Sequence, residues 1–299
     1  MANTTFSGPI RSENGVKLVS KNATTGLISD RTVGDYPKDA RRYYLEEWFN
    51  RRPGLNANLD QAATIEVQRT LSYDFEALGT NMTSALCTFG ATTGGILATT
   101  AGADADQAIV CPHLDDDGTA DTGAITAWSG VQWGTENETH WETSIMLPAI
   151  DNQKVWAGLK LTNDQLVAAD DDKAFFKFQT DATVSEAFTD FTLLHFVHSI
   201  GGTDYISALP ITVAANTPYH LKITIDSDRK ASIFVNGIQY NVTTTSGSTG
   251  GTAVTTGTTP TGALTDDVDF IPYNGIEAGA AAAEALNTHF VAMSRLVYE

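Results

Sequence analysis

Three glutamates at even spacing, Glu136, Glu138 and Glu142, have the most direct route to chemistry in this chain. Side chains alternate across an extended strand, so these three share one face. Two carboxyl groups lining a sheet face are what a glycosidase needs as acid and nucleophile. Trp133, Trp141 and Trp156 are the candidate rings for a sugar to stack on. Against catalysis, Glu136 and Glu138 lie in the polar run TENET, whose carboxylates are suited to a solvated turn. No catalytic residue is assigned on this basis.

The histidines offer less. His195 and His198 are three apart, which on a strand places them on opposite faces and disfavours a shared ion. His113 beside Cys111 lacks the further ligands of a closed zinc site. The aspartates gather at Asp115–Asp117, Asp170–Asp172, Asp226 with Asp228, and Asp266 with Asp267 and Asp269. Oxygen-rich loops of this kind suit calcium, although none follows the twelve-residue calcium loop and aspartate also favours turns. No cofactor and no metal ligand set is assigned, with calcium kept as the one candidate ion. Neither a phosphate-binding glycine loop nor a nucleophile elbow is present.

These residues must be held by strands. The chain has 299 residues, 25 of them glycine, and a formal net charge of −18. That balance argues against nucleic-acid binding, which needs clustered Lys and Arg. Residues 1–52 carry nine basic and six acidic side chains, so the remainder carries nine basic against thirty acidic. A mildly basic arm thus precedes an acidic body. Cys87 and Cys111 make no disulfide framework and are expected as free core thiols. The opening MANTTFSGPI lacks the pattern of a secretory leader, and no run is apolar enough to cross a bilayer, so a cytosolic start without membrane contact is expected.

Turn residues recur through residues 1–35, which suits an extended segment lying along a surface. Asp39–Asn50 is the helix candidate, with Asp39 as cap, and Arg51–Gly54 ends it. Beyond, short alternating runs fall at Ala63–Leu71, Tyr73–Leu78, Ser84–Phe89, Gly95–Thr99, Gln107–Cys111, His140–Leu147, Lys154–Lys160, Phe175–Gln179, Thr192–Ser199, Thr203–Leu209 and His289–Val297. Tyr219–Ile225 alternates most cleanly, and Asn236-Gly237 suits a tight hairpin. Thr243–Thr265, nearly all Ser, Thr and Gly, reads as a long exposed loop. Ala278–Leu286 has the composition for one or two helical turns.

The run NTPYHLKITIDSDRKASIFVNGIQY, Asn216–Tyr240, resembles a segment of concanavalin A-like and laminin G-like sandwiches. The resemblance implies a lectin-like jelly roll with Val213, Tyr219, Leu221, Ile223, Ile233 and Val235 in its core. FSGPIRSENG (Phe6–Gly15), KNATTG (Lys21–Gly26), GGILATTAGADADQ (Gly94–Gln107) and THWETSIMLPAIDNQKVWAGLKLTN (Thr139–Asn163) are similar to structural proteins of tailed phages, especially of marine bacteria.

The expected fold is an all-β concanavalin A-like jelly-roll sandwich over residues 53–299, with an extended N-terminal arm and short helix over residues 1–52. The phage resemblance implies a non-enzymatic virion protein, a decoration module on the outer surface of the capsid. Its partner would be the major capsid protein, and it would be a homo-oligomer, with a trimer at a quasi-three-fold site as one form. Phe6, Ile10, Arg11, Leu18, Lys21 and Arg31 are the candidate capsid contacts. The alternative is a carbohydrate- or receptor-binding tail module using Trp133, Trp141 and Trp156.

Overall fold

The computed structural model describes residues 19–21, 28–30, 42–56, 75–79, 81–90, 94–112, 133–161, 172–180, 188, 190–247 and 250–297. In chain order the early strands are β1 (Val19–Lys21), β2 (Ile28–Asp30), β3 (Arg42–Glu47), β4 (Gly54–Asn56), β5 (Phe75–Gly79), β6 (Cys87–Phe89) and β7 (Ile96–Thr99). Next come β8 (Gln107–Pro112), β9 (Trp133–Gly134), β10 (His140–Met146), β11 (Gln153–Leu161), β12 (Lys173–Gln179), β13 (Leu193–Ile200) and β14 (Thr203–Thr212). The last are β15 (Pro218–Ile225), β16 (Ala231–Val235), β17 (Ile238–Tyr240), β18 (Thr252–Ala253), β19 (Asp269–Ala278) and β20 (Ala285–Leu296).

Among the described residues these form an eight-stranded sheet, β17-β16-β15-β10-β20-β7-β6 with β3 also on β20, and a ten-stranded sheet, β18-β14-β13-β12-β11-β19-β8-β5-β4 with β9 on β19. A β1-β2 ribbon stands apart from both. Alternation decides which side of each strand is buried. From the smaller sheet Trp141, Ile145, Leu221, Ile223, Ile233, Val291 and Met293 point inward; from the larger, Val155, Leu159, Phe176, Phe196, Phe270 and Ile276 meet them in one core. Full burial of such side chains contributes about 1.5–3 kcal/mol each. The sheets also touch through a polar link, where the Asn274 amide donates to the Thr143 hydroxyl at 2.9 Å.

The all-β sandwich expected from the sequence is present, and Val213, Tyr219, Leu221, Ile223, Ile233 and Val235 are all buried in it. Asn236 and Gly237 take φ of 51° and 78°, the left-handed pair that a two-residue hairpin requires. The short helix is a correction. No helix occurs among the described residues, and Arg42–Glu47 is strand β3, paired antiparallel with β20 from Glu47↔Val291 to Arg42↔Leu296. Its residues are as compatible with period two as with a helical period, and the backbone of β20 offers a row of partners that an isolated helix lacks. The body's sheet therefore includes residues on the arm side of position 52.

The expected helical turns at Ala278–Leu286 are also replaced. Backbone donors there go to neighbouring segments: Gly279 N–H to the Asn152 carbonyl, and Glu284 N–H to the Thr100 hydroxyl. The Ser/Thr/Gly stretch is tied down along the sandwich. Thr252–Ala253 pairs parallel with β14, Val242 N–H reaches the Thr259 carbonyl, and Thr261 exchanges bonds with Ala231. The expected strand at Ala63–Leu71 lies outside the described residues.

Candidate functional site

The glutamates singled out above do not converge. Glu142 is on the outer face of the smaller sheet, 4 % exposed, with Oε1 3.3 Å from His220 Nε2. Glu138 sits in the turn before β10 at φ 44° and pairs with Arg42 at 3.7 Å. Glu136 joins a different group, described below. Two of the tryptophans are closed to ligands, since Trp133 and Trp141 are both 0 % exposed in the core between the sheets. A sugar could reach either ring only if the sandwich opened.

Trp156 lies on the outer face of the ten-stranded sheet, in a second cluster with Phe175, Phe188, Val197 and Tyr273. Lys177 Nζ is 5.9 Å from the Trp156 ring and 5.4 Å from Phe188, and Phe188 stacks on His195 at 3.9 Å. Trp156, Lys177 and His195 are all at most 4 % exposed, so this basic and aromatic face is packed within the chain. Burial draws the His195 pKa down to about 4. His198, stacked on Tyr205 with ring centroids 4.8 Å apart, is likewise drawn to about 4. Residue parity puts the two histidines on opposite faces, as their spacing implied.

Among the described residues the exposed large aromatics are Phe89, Trp48 and Tyr43, and the sequence reading assigned Trp48 to a helix. Trp48, just past the end of β3, is 43 % exposed and stacks on Phe290 of β20, centroids 4.8 Å apart and planes 26° apart. Its indole N–H donates to Glu46 Oε1 at 3.0 Å, and the amide of Phe49 donates to Glu47 Oε1 at 2.6 Å. His220 leans on the same Phe290 ring at 5.7 Å, while Ser144 Oγ lies 2.9 Å from His289 Nδ1. The outcome is a ring with one face backed by Phe290 and its edge pinned by Glu46. Reading Arg42–Phe49 with period two would have placed Tyr44, Glu46 and Trp48 on one face.

At the turn before β10, Glu136, Asp266 and Asp267 bring one carboxylate oxygen each within 4.8 Å of the others. Glu136 Oε1 accepts from the Thr135 hydroxyl and the Asp267 amide, both at 2.7 Å. Partial burial works to raise the Glu136 pKa, but these bonds outweigh it and hold the carboxyl below its ordinary value. Burial raises Asp269 nearby, with Glu136 and Asp267 adding to the rise against Arg295. Arg229 pairs with Asp266 at 3.2 Å. Such oxygen-only donors suit a hard divalent cation.

Cys87 and Cys111 are free and buried, in different sheets. Of the expected capsid contacts, Phe6, Ile10, Arg11, Leu18 and Arg31 lie outside the described residues, and Lys21 is described only as part of β1. His113, Asp115–Asp117, Asp170 and Asp171 also lie outside them.

No family model and no curated protein matches the chain. Solved structures do. A protein of unknown function from Shewanella oneidensis MR-1 aligns with TM-score 0.48 and 9 % identity over 86 % of this chain and 87 % of that one. Peanut lectin aligns at 0.43 and 9 %, over 85 % and 97 %. A Bacillus licheniformis beta-glucanase aligns at 0.42 and 13 %, over 86 % and 98 %. These are likenesses in the course of the chain, and no residue or ligand is carried over from them.

Proposed function

We propose that this protein is a non-enzymatic carbohydrate-binding module whose ligand stacks on Trp48. The observation that carries this reading is the fixed, half-open Trp48 ring, backed by Phe290 and pinned by Glu46. Stacking a sugar on a rigid ring costs little ordering entropy, because the side chain is already held. Dispersal of Glu136, Glu138 and Glu142 supports binding without hydrolysis. A glycan array probed with the full chain and with Trp48→Ala tests the reading: Trp48-dependent signal supports it, and a uniformly blank array defeats it.

Calcium belongs to the same proposal. Glu136, Asp266 and Asp267 would supply its oxygens, fixing the turn against the segment before β19. Attachment to a phage head through Phe6, Ile10, Arg11, Leu18, Lys21 and Arg31 is a separate proposal about where the module works. It is supported by the sequence resemblance and by the basic excess of residues 1–52, and deleting residues 1–30 should abolish capsid attachment if it holds.

A further inference from the structure

Trp48 is held twice, and the second hold is on its backbone. β3 runs beside β20 as far as Glu47, opposite Val291, and the chain then crosses to the larger sheet, where by Gly54 it is β4 beside β5. The crossing starts at Phe49, whose φ of 50° is a left-handed value that a bulky side chain rarely adopts. Such a conformation persists only where the surroundings over-determine it. One constraint is the Phe49 ring, 2 % exposed and edge-on to Phe75 of β5 with centroids 5.8 Å apart. The other is Glu47. Paired with inward-pointing Val291, it faces the core side of β3, and its Oε1 accepts the Phe49 amide at 2.6 Å.

That amide belongs to the peptide joining Trp48 to Phe49, so holding it fixes the plane from which the indole departs. With Phe49 locked inward, Trp48 is turned outward onto Phe290. Glu46 holds the same ring by its edge, at 3.0 Å, but from an exposed position where water and salt compete. The Glu47 bond is part-buried and ends on a carboxylate, the stronger kind of hydrogen bond. We infer that Glu47 is the positioning residue of the Trp48 platform. It touches no ligand, and it holds the ring in the stacked orientation on which the binding proposed above rests.

Fluorine NMR of the full chain labelled with 5-fluorotryptophan tests this without a ligand. The chain has five tryptophans, and Trp48→Phe assigns the Trp48 resonance. In Glu47→Ala that resonance should move most of the way to its position in the urea-unfolded chain, while those of the core residues Trp133 and Trp141 stay in place and report a folded sandwich. Glu47→Gln, whose amide oxygen still accepts, should restore it. An unmoved Trp48 resonance in Glu47→Ala overturns the inference. If that variant fails to fold, amide exchange in the native protein decides: the Phe49 N–H should exchange about a hundredfold more slowly than an unstructured amide, and exchange at the unstructured rate overturns the assignment. Affinity electrophoresis in native gels cast with a β-glucan, a galactomannan or an alginate reads the consequence for binding. Whichever polymer retards the native chain should bind Glu47→Ala at least tenfold more weakly and Glu47→Gln nearly as well as the native chain. Equal retardation of Glu47→Ala and the native chain overturns the inference. No retardation of the native chain in any gel defeats the binding reading instead, and the fluorine spectra then decide the position of the ring by themselves.

Discussion

Trp48 and Phe290 lie nearly flat against each other, with ring centroids 4.8 Å apart, yet Trp48 is 43 % exposed while Phe290 is 5 % exposed. The two rings therefore divide the labour of the site. The buried one supports the sheet, and the open one is available to a ligand.

Substitutions at the two positions should separate accordingly. Trp48→Ala loses an exposed ring and one stack, costing about 1 kcal/mol of stability, but should abolish the proposed glycan binding. Phe290→Ala removes a buried ring and should cost about 3–5 kcal/mol. Urea denaturation paired with a binding assay checks both; equal stability losses would contradict this division.

Acid should weaken the fold before carboxylate titration does. Burial lowers the pKa of His195 and His198 from 6.5 to about 4, and burial with Arg42 and Lys222 nearby lowers His140 to about 3. These groups bind protons more readily in the unfolded chain, so their neutral burial supports folding fully above pH 6.5 and progressively less as pH falls toward 4. Shifts of this size correspond to about 3 kcal/mol for His195 or His198 and about 5 kcal/mol for His140. Chemical denaturation at pH 7.5, 6 and 5 should show falling stability, and His198→Gln should flatten the slope. A flat profile over that range would remove the histidines from the account.

Much of the sandwich was legible because one-sided burial writes itself into alternation. Tyr219–Ile225 and His140–Met146 show it plainly and pair with each other in the structure. What misled was a run compatible with two periods: Arg42–Phe49 reads equally as a helix face or a strand, and its partner β20 lies some 250 positions away. The site was missed for the same reason, since a helix would have turned Trp48 toward the core side. Trp133 and Trp141 drew attention as tryptophans, but indoles fill cores as readily as they face sugars. Phe270–Ile276 shows no clean alternation in the sequence, yet lies in β19, flanked by β11 and β8.

Gly95 should resist substitution. It sits at φ 72°, and a Cβ there would come 2.4 Å from the Thr288 carbonyl oxygen and 2.6 Å from His289 Cα. Both contacts are backbone, so no side chain can swing aside. Gly95→Ala should cost about 2 kcal/mol or more, combining steric overlap with the left-handed conformation. Gly94→Ala, also at φ 72° but with open space, carries only the conformational part. A smaller loss at position 95 than at 94 by thermal melting would contradict the packing.

The thiols should be unreactive in the folded protein. Burial pushes Cys87 up to about 12 and Cys111 well above its ordinary value, where Glu76 raises it further against Lys160. The thiolate is the reacting form, so a thiol reagent at pH 8 should label neither cysteine until denaturant is added. Rapid labelling of the native protein would contradict the burial.

Calcium should stabilise the turn that joins β9 to β10. Three carboxylates facing one another repel, and Arg229 on Asp266 together with the Thr135 and Asp267 bonds on Glu136 relieve only part of that. A cation among them removes the remainder, but it must be held by exposed Asp266 and Asp267, which argues for affinity near the millimolar end of the calcium range. With a Kd of about 1 mM, 10 mM calcium would add about 1.4 kcal/mol. Calorimetric melting should show this rise with calcium, a smaller one with magnesium, and reversal by chelator. Asp267→Asn should reduce the rise, whereas Asp228→Asn, in the separate β15–β16 turn, should leave it unchanged. Because hydrogen bonds keep the Glu136 carboxyl ionised to lower pH than usual, its share of the effect should outlast the ordinary carboxylate range as pH falls. An equal rise in Asp267→Asn would place the calcium elsewhere.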